Sequence, residues 1–169
     1  MKKFLLAICS LSAALLPSMG QDKKAEREAA ALAAFEKALA TIETKEYVII
    51  VGSYQSEGGV INDNTDNANF LAFENDHIIL QGAIVAENSN TNRLAVSNYE
   101  QLTDKKGNIR ISYQANGHLI NAKVEMSLKK SAGNVADVII TPTRGTVKRF
   151  NGEIVPKAQS KYFRRVGEI

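Results

Sequence analysis

The sequence predicts a mainly β protein of the α+β class. It reads as an antiparallel meander of eight or nine strands, closed into an up-and-down barrel or a strongly curled sheet, with one N-terminal α-helix. Three observations carry this reading. From Phe70 onward apolar and polar residues alternate with a period of two, the pattern of strands with one dry face. Turn residues interrupt the alternation at regular intervals: Asn75-Asp76, Asn88 to Asn92, Asp104 to Asn108, Asn116-Gly117, Ser131 to Asn134 and Thr143 to Gly145. Such spacing marks a run of hairpins. One alanine-rich stretch without glycine or proline, Asp22 to Thr44, precedes them. A one-sided sheet of that many strands must close or be covered, and a barrel with the helix across an opening meets both needs.

The chain opens MKKFLLAICSLSAALLPSMGQDKK. Lys2 and Lys3 form a positive start, and the run Phe4 to Leu16 is too short to span a bilayer. Ser18 and Gly20 supply small residues at the −3 and −1 positions of a cleavage site. Residues 1–20 therefore read as a secretory signal cleaved after Gly20. Ile8 before Cys9 argues against a lipoprotein, whose acylated cysteine follows a small residue. Cleavage leaves 149 of the 169 residues, removes Cys9, the single cysteine, and takes the formal charge from +3 to +1. The mature protein then has no disulfide and no thiolate, and no basic footprint for nucleic acid. No later apolar run is long enough for a membrane span.

Residues 21–44 form the helix of the mature domain. Asp22 is placed to cap its free N–H groups, and Leu32, Phe35, Leu39 and Ile42 recur at helical spacing on one stripe. Residues 45–156 form the β domain. Tyr47 to Tyr54 is β-branched and aromatic, hence a strand, and a long polar loop, Ser56 to Asn69, follows. Asn69 to Asn88 reads as two strands joined at Asn75-Asp76. At Asn116-Gly117 both residues suit the positive φ of a two-residue type I′ turn. Around it Ile109, Ile111, Tyr113, Ala115, Ile120, Ala122, Val124, Met126 and Leu128 make the dry face. Val147 falls out of step with Phe150, Gly152 and Ile154, which predicts a bulge near Lys148. Residues 157–169 are a basic tail.

The order of these segments resembles a family of exported Bacteroidota proteins catalogued as domain of unknown function 4251. The likeness runs from about Leu32 to Pro156. It rests on ALAAFEKALATIETKEYVI, then NFLAFENDHIILQG, NYEQLTDKKGNIRISYQANG and GNVADVIITPTRGTVKRFNGEIVP. Where members carry a Leu-Pro-Tyr-Phe-Gly-like segment, this chain has Leu80-Gln81-Gly82-Ala83-Ile84. The resemblance implies a lipocalin-like barrel and a cell-envelope setting, periplasmic or extracellular, and implies no activity.

The search for chemistry assigns no catalytic, cofactor-binding or metal-binding residue. His77 and His118 each stand beside a turn, with no carboxylate at metal-ligand spacing. Ser53, Ser56, Ser97 and Ser112 offer hydroxyls but no neighbouring base. Asp63, Asp66, Asp76 and Asp104 fall at turns, where Asp bonds its own backbone, and Glu125 takes the wet side of its strand. Asp63, Thr65, Asn67 and Glu74 match positions of a calcium loop, but Ala68 stands where that loop needs glycine. In the tail, Lys157, Lys161, Arg164 and Arg165 flank Tyr162 and Phe163. They read as a last partly ordered strand with solvated charges, or as a dock for an acidic partner or anionic surface. The expectation is a non-catalytic envelope domain that binds a small ligand or an envelope protein, chiefly through Ser56 to Asn69 and Asn88 to Asn92. A hydrolase whose residues meet only in three dimensions is the alternative.

Overall fold

The structure, a computed structural model, describes residues 19–86 and 88–169. The expected signal, as far as residue 18, lies outside the described residues. Helix α1 spans Met19–Glu43, so Asp22 stands inside it and not at its cap. Then follow β1 (Glu46–Gln55), β2 (Ile61–Asp63), β3 (Phe70–Glu74), β4 (His77–Gln81), the single turn α2 (Ala83–Ala86), β5 (Thr91–Thr103), β6 (Ile109–Asn116), β7 (Asn121–Leu128), β8 (Val135–Pro142) and β9 (Lys148–Pro156). The nine strands form one antiparallel sheet in the order β2-β1-β3-β4-β5-β6-β7-β8-β9. Strand β9 returns to pair with β1, Ile49 opposite Ile154, so eight strands close a barrel. Strand β2 is an extra arm on the far half of β1, beyond β3.

The predicted dry face is the barrel interior. Ile111, Tyr113, Ala115, Val124, Met126 and Leu128 are all buried, while Lys123 is exposed and its ammonium reaches Glu125 at 2.9 Å. Tyr47 stacks on Phe73 at 5.4 Å, and Tyr113 meets the same Phe73 edge-on at 5.5 Å. Elements from both ends of the barrel join this core. Phe35, Ala38 and Ile42 of α1 enter at the end where β1 begins, and Val85 and Ala86 of α2 enter at the opposite, distal end. Leu32, expected on the buried stripe, is exposed, and Leu39 is half-buried. The helix presents its alanines to the core side instead: Ala31 and Ala34 lie against Gly133, beside the 3-10 turn Lys130–Ala132. Small side chains let the helix approach where a leucine would not fit.

Strands β3 and β4 do not alternate. Every residue of Phe70–Glu74 is buried, and so is β4 after His77. Val48, Phe70, Ala72 and Ile79 form a second cluster on the outer face, with Ile50 and Tyr162 packed on it. The C-terminal tail lies over this patch, its Tyr162 ring edge-on to Phe70 at 4.6 Å. Strands buried on both sides lose their polar face.

Two local expectations are corrected. The Asn75-Asp76 hairpin forms with Glu74 opposite His77 and φ 58° at Asn75. The Asn116-Gly117 pair does not form a two-residue turn. Asn116 pairs with Asn121, and neither Asn116 nor Gly117 has positive φ. The chain turns over Gly117 to Ile120, closed by the Gly117 N–H donating to the Ile120 carbonyl at 2.9 Å. Glycine is needed there for space: a Cβ would sit 2.9 Å from the Arg93 carbonyl oxygen and 3.0 Å from Leu94 Cγ. The bulge expected near Lys148 is not there, since β9 pairs with β8 without a shift from Lys148 onward. Val147 lies outside the strand. The irregularity falls on β1 between Val51 and Ser53, opposite Gly152. A Cβ on Gly152 would strike the Ile50 carbonyl, so the strands approach there because that side chain is missing. A second bulge breaks the β5–β6 pairing between Ser97 and Glu100, with φ 52° at Asn98.

Candidate functional site

A cleft of about 620 Å³ opens at the distal end. That volume suits a small organic ligand. Two turns face each other across it. The β6–β7 turn contributes His118, Leu119 and Ile120, and the β8–β9 turn contributes Thr143, Arg144 and Thr146. Its apolar floor is Val85 and Ala86 of α2 with Ile140 of β8, all buried in the barrel core. The floor exists because Gly82, at φ 98°, turns the chain off β4 and starts the helical turn, whose Ala86 N–H donates to the Gly82 carbonyl at 2.9 Å. On the rim the Lys148 ammonium donates to the Thr146 hydroxyl at 3.0 Å. Arg144, Lys148 and His118 are the basic groups among the described lining residues.

The loops expected to bind contribute little to this cleft. Of Asn88 to Asn92, only Asn88 lines it, and none of Ser56 to Asn69 does. Their asparagines are engaged in holding backbone. Asn92, buried, donates to the Leu80 and Asn90 carbonyls at 3.1 Å. Asn64 donates to the carbonyls of Val51 and Asp66, and the Asp66 carboxylate accepts the Ala68 N–H at 2.9 Å. The residues that make the cleft were overlooked because its apolar members read as ordinary strand ends and Arg144 as a turn residue.

The two histidines stand at opposite ends of the barrel. His118 lines the distal cleft, whereas His77 opens β4 at the other end. There its ring nitrogens lie 2.9 Å from Asp76 and 3.4 Å from Glu74. Glu74, matched above to a calcium ligand, serves elsewhere. It accepts from Lys157 at 2.9 Å and Arg164 at 2.8 Å. Burial pushes the Glu74 carboxyl up, but these two cations outweigh it and hold it below the usual value. Glu74 also raises Lys157 in turn.

The basic tail is thus a strap and not a solvated strand. Lys157 and Arg164 are tied to Glu74, and Arg164 also pairs with Glu168. Gln81, fully buried, holds the middle of the strap through its amide. The amide nitrogen donates to Phe163 O at 2.7 Å and Ala68 O at 3.0 Å, and the amide oxygen accepts from Thr91 Oγ1 at 2.6 Å and Arg165 N–H at 2.8 Å. The strap also reaches both polar loops. Phe163 N–H donates to the Asn67 carbonyl, and Arg165 donates to the Ser89 carbonyl beside the cleft.

Fold and site together define a helix-capped antiparallel β-barrel with a distal cleft and a C-terminal strap. The chain belongs to the DUF4251 family, described as a domain of unknown function, whose profile matches residues 29–154. Its fold is similar to that of a DUF4251 family protein from Bacteroides eggerthii, known from a crystal structure. The two share 25% sequence identity with a TM-score of 0.67, over 79% of this chain and 94% of that one. No curated protein matches the sequence. The sequence-based resemblance and the barrel class therefore stand.

Proposed function

We propose that this protein is a non-catalytic binding domain of the cell envelope that takes a small ligand in its distal cleft. One observation carries the reading: the cleft combines a buried apolar floor, Val85 and Ile140, with a polar rim that includes Asn88, Asn121 and Thr143. Ligand sites pair apolar walls with a few placed polar groups in this way. His118 has no second histidine near it for shared proton transfer, since His77 is at the other end. The envelope setting is supported by the signal-like N-terminus.

The test is native mass spectrometry of the protein isolated from its own cells. A chain beginning at Gln21, without lipid, carrying a small molecule that is lost in Leu119→Trp, is the expected result. Leu119 is an exposed rim residue, so tryptophan there fills the cleft without entering the core. A diacylglyceryl mass on Cys9, or a ligand kept by Leu119→Trp, contradicts the reading.

A further inference from the structure

We infer that the barrel wall under the C-terminal strap is a groove for an extended peptide, and that the occupant it fits from outside is the strap of a second copy of this chain. No residue of the strap lines the distal cleft, so this site stands apart from the one proposed above. Strand β9 closes the barrel on β1 without the strap, and the family profile ends before it, at residue 154. The strap is therefore an added segment lying on a closed wall. The bonds that hold it show what the wall accepts.

The wall reads backbone at every second residue. Asn67 donates its amide to the Lys161 carbonyl at 3.0 Å, and its own carbonyl accepts the Phe163 N–H at 3.2 Å. The Gln81 amide then spans Phe163 and Arg165, donating to one carbonyl at 2.7 Å and accepting the other N–H at 2.8 Å. The Thr91 hydroxyl takes the Arg165 carbonyl at 3.3 Å. Residues 161, 163 and 165 thus turn their main chain to one side, as an extended segment does. Three side chains, Asn67, Gln81 and Thr91, do the work of a neighbouring strand. Main-chain bonding of this kind is how sheets capture extended peptides, with alternate side chains supplying the selectivity.

The alternate side chains are Tyr162 and Arg164. Tyr162 meets Phe70 edge-on at 4.6 Å, over the outer apolar cluster, and Arg164 reaches the buried Glu74 at 2.8 Å. Phe163, Val166 and Ile169 remain exposed. The groove therefore selects an aromatic residue followed two positions later by arginine, whose guanidinium suits a carboxylate. Every second copy carries that sequence. Exchanging straps returns the same bonds to each groove, the condition under which swapping costs little. The hinge is the 3-10 turn Lys157–Gln159, in which Ala158 and Gln159 are exposed. The chain's own strap competes at an effective concentration on the order of millimolar, which sets the scale at which a second copy enters.

The experiment has two arms. In the first, the full chain carrying Tyr162→Ala and Arg164→Gln frees the groove without altering its walls, and a fluorescent peptide of residues 160–169, SKYFRRVGEI, is titrated into it. The peptide should bind about tenfold or more tightly than to the wild-type chain, whose own strap competes. Peptides carrying Tyr162→Ala or Arg164→Gln should each bind about tenfold more weakly. Adding Glu74→Gln to the chain should weaken the unaltered peptide and leave the Arg164→Gln peptide unchanged. Altered and unaltered peptides binding alike, or no binding to a chain whose Val124 methyls keep their wild-type shifts, overturns the groove. The second arm needs only the wild-type chain and so decides the matter if the altered chain does not fold. Isotopically labelled and unlabelled copies are mixed at about 1 mM, and contacts between the Tyr162 ring of one copy and the Phe70 ring of the other are read by isotope-filtered NOEs. Such contacts are the expected result. Their absence overturns the second copy as occupant, and peptide binding without them assigns the groove to a segment of another protein.

Discussion

The buried side-chain amide of Gln81 donates to the Phe163 carbonyl at 2.7 Å, across 82 positions of sequence. The same amide accepts the Arg165 N–H and the Thr91 hydroxyl. One polar side chain thus fixes the C-terminal strap to the barrel wall. Gln81→Leu keeps the bulk and leaves those partners unpaired. It should cost about 2 kcal/mol, the order expected for stranding buried polar groups. Amide exchange should rise in residues 161–169 more than in β7. Equal exchange throughout would show that Gln81 does not anchor the strap.

Glu74 gives the strap a pH dependence. Its carboxyl is pushed up by burial but held lower overall by Lys157 and Arg164. A depressed folded value means the contribution is complete above the ordinary glutamate pKa of about 4.3. It is lost as pH falls through the lower folded value. The strap should therefore hold at neutral pH and loosen in acid, seen as exposure of Tyr162. Glu74→Gln should loosen it at neutral pH and remove that acid transition. An unchanged acid transition in the variant would place the titrating group elsewhere.

The alternation of β7 makes a sharp contrast between neighbours. Val124 is fully buried, while Lys123 is exposed beside Glu125. Val124→Asp should cost about 3 kcal/mol or more, because it buries an unpaired carboxylate. Lys123→Asp should cost about 0.5 kcal/mol. Thermal or denaturant unfolding measures both, and similar losses would contradict the sidedness of the strand.

Gly117 is constrained by space and not by φ. Ala at 117 brings a Cβ to 2.9 Å from the Arg93 carbonyl and should cost about 1–3 kcal/mol, as overpacking does. Asn116→Ala removes a 3.4 Å bond to Ser97 at an exposed site and should change stability by about 0.5 kcal/mol or less. The reverse order, with Asn116 the sensitive position, would favour the turn expected from the sequence.

These residues mark where the sequence was legible. Alternation through Ile109–Asn116 and Asn121–Leu128 identified both the strands and their buried face, because period two is set locally by the pleat. The helix and the Asn75-Asp76 turn were legible for the same local reason. The Asn116-Gly117 turn was misplaced because the pair also satisfies a type I′ turn, and only the neighbouring Arg93 and Leu94 show that glycine serves close packing. The strap was missed because its partners, Glu74 and Gln81, lie 90 and 84 positions from Arg164 and Arg165. The continuous burial of Phe70–Glu74 was the available signal, since a strand without a polar face needs a cover on both sides. The cleft was illegible for a similar reason: three separate chain segments, 85–88, 118–121 and 140–148, meet to form it.

The most direct measurement is a small-molecule library screened by methyl shifts, with every hit recovered and analysed for conversion. The account predicts hits that move Val85, Ile120 and Ile140, leave Ile42 and Ile109 near the other end unmoved, and come back chemically unchanged. Hits that map to the strap or the far end, or a compound converted by the native protein but not by His118→Ala, would contradict it.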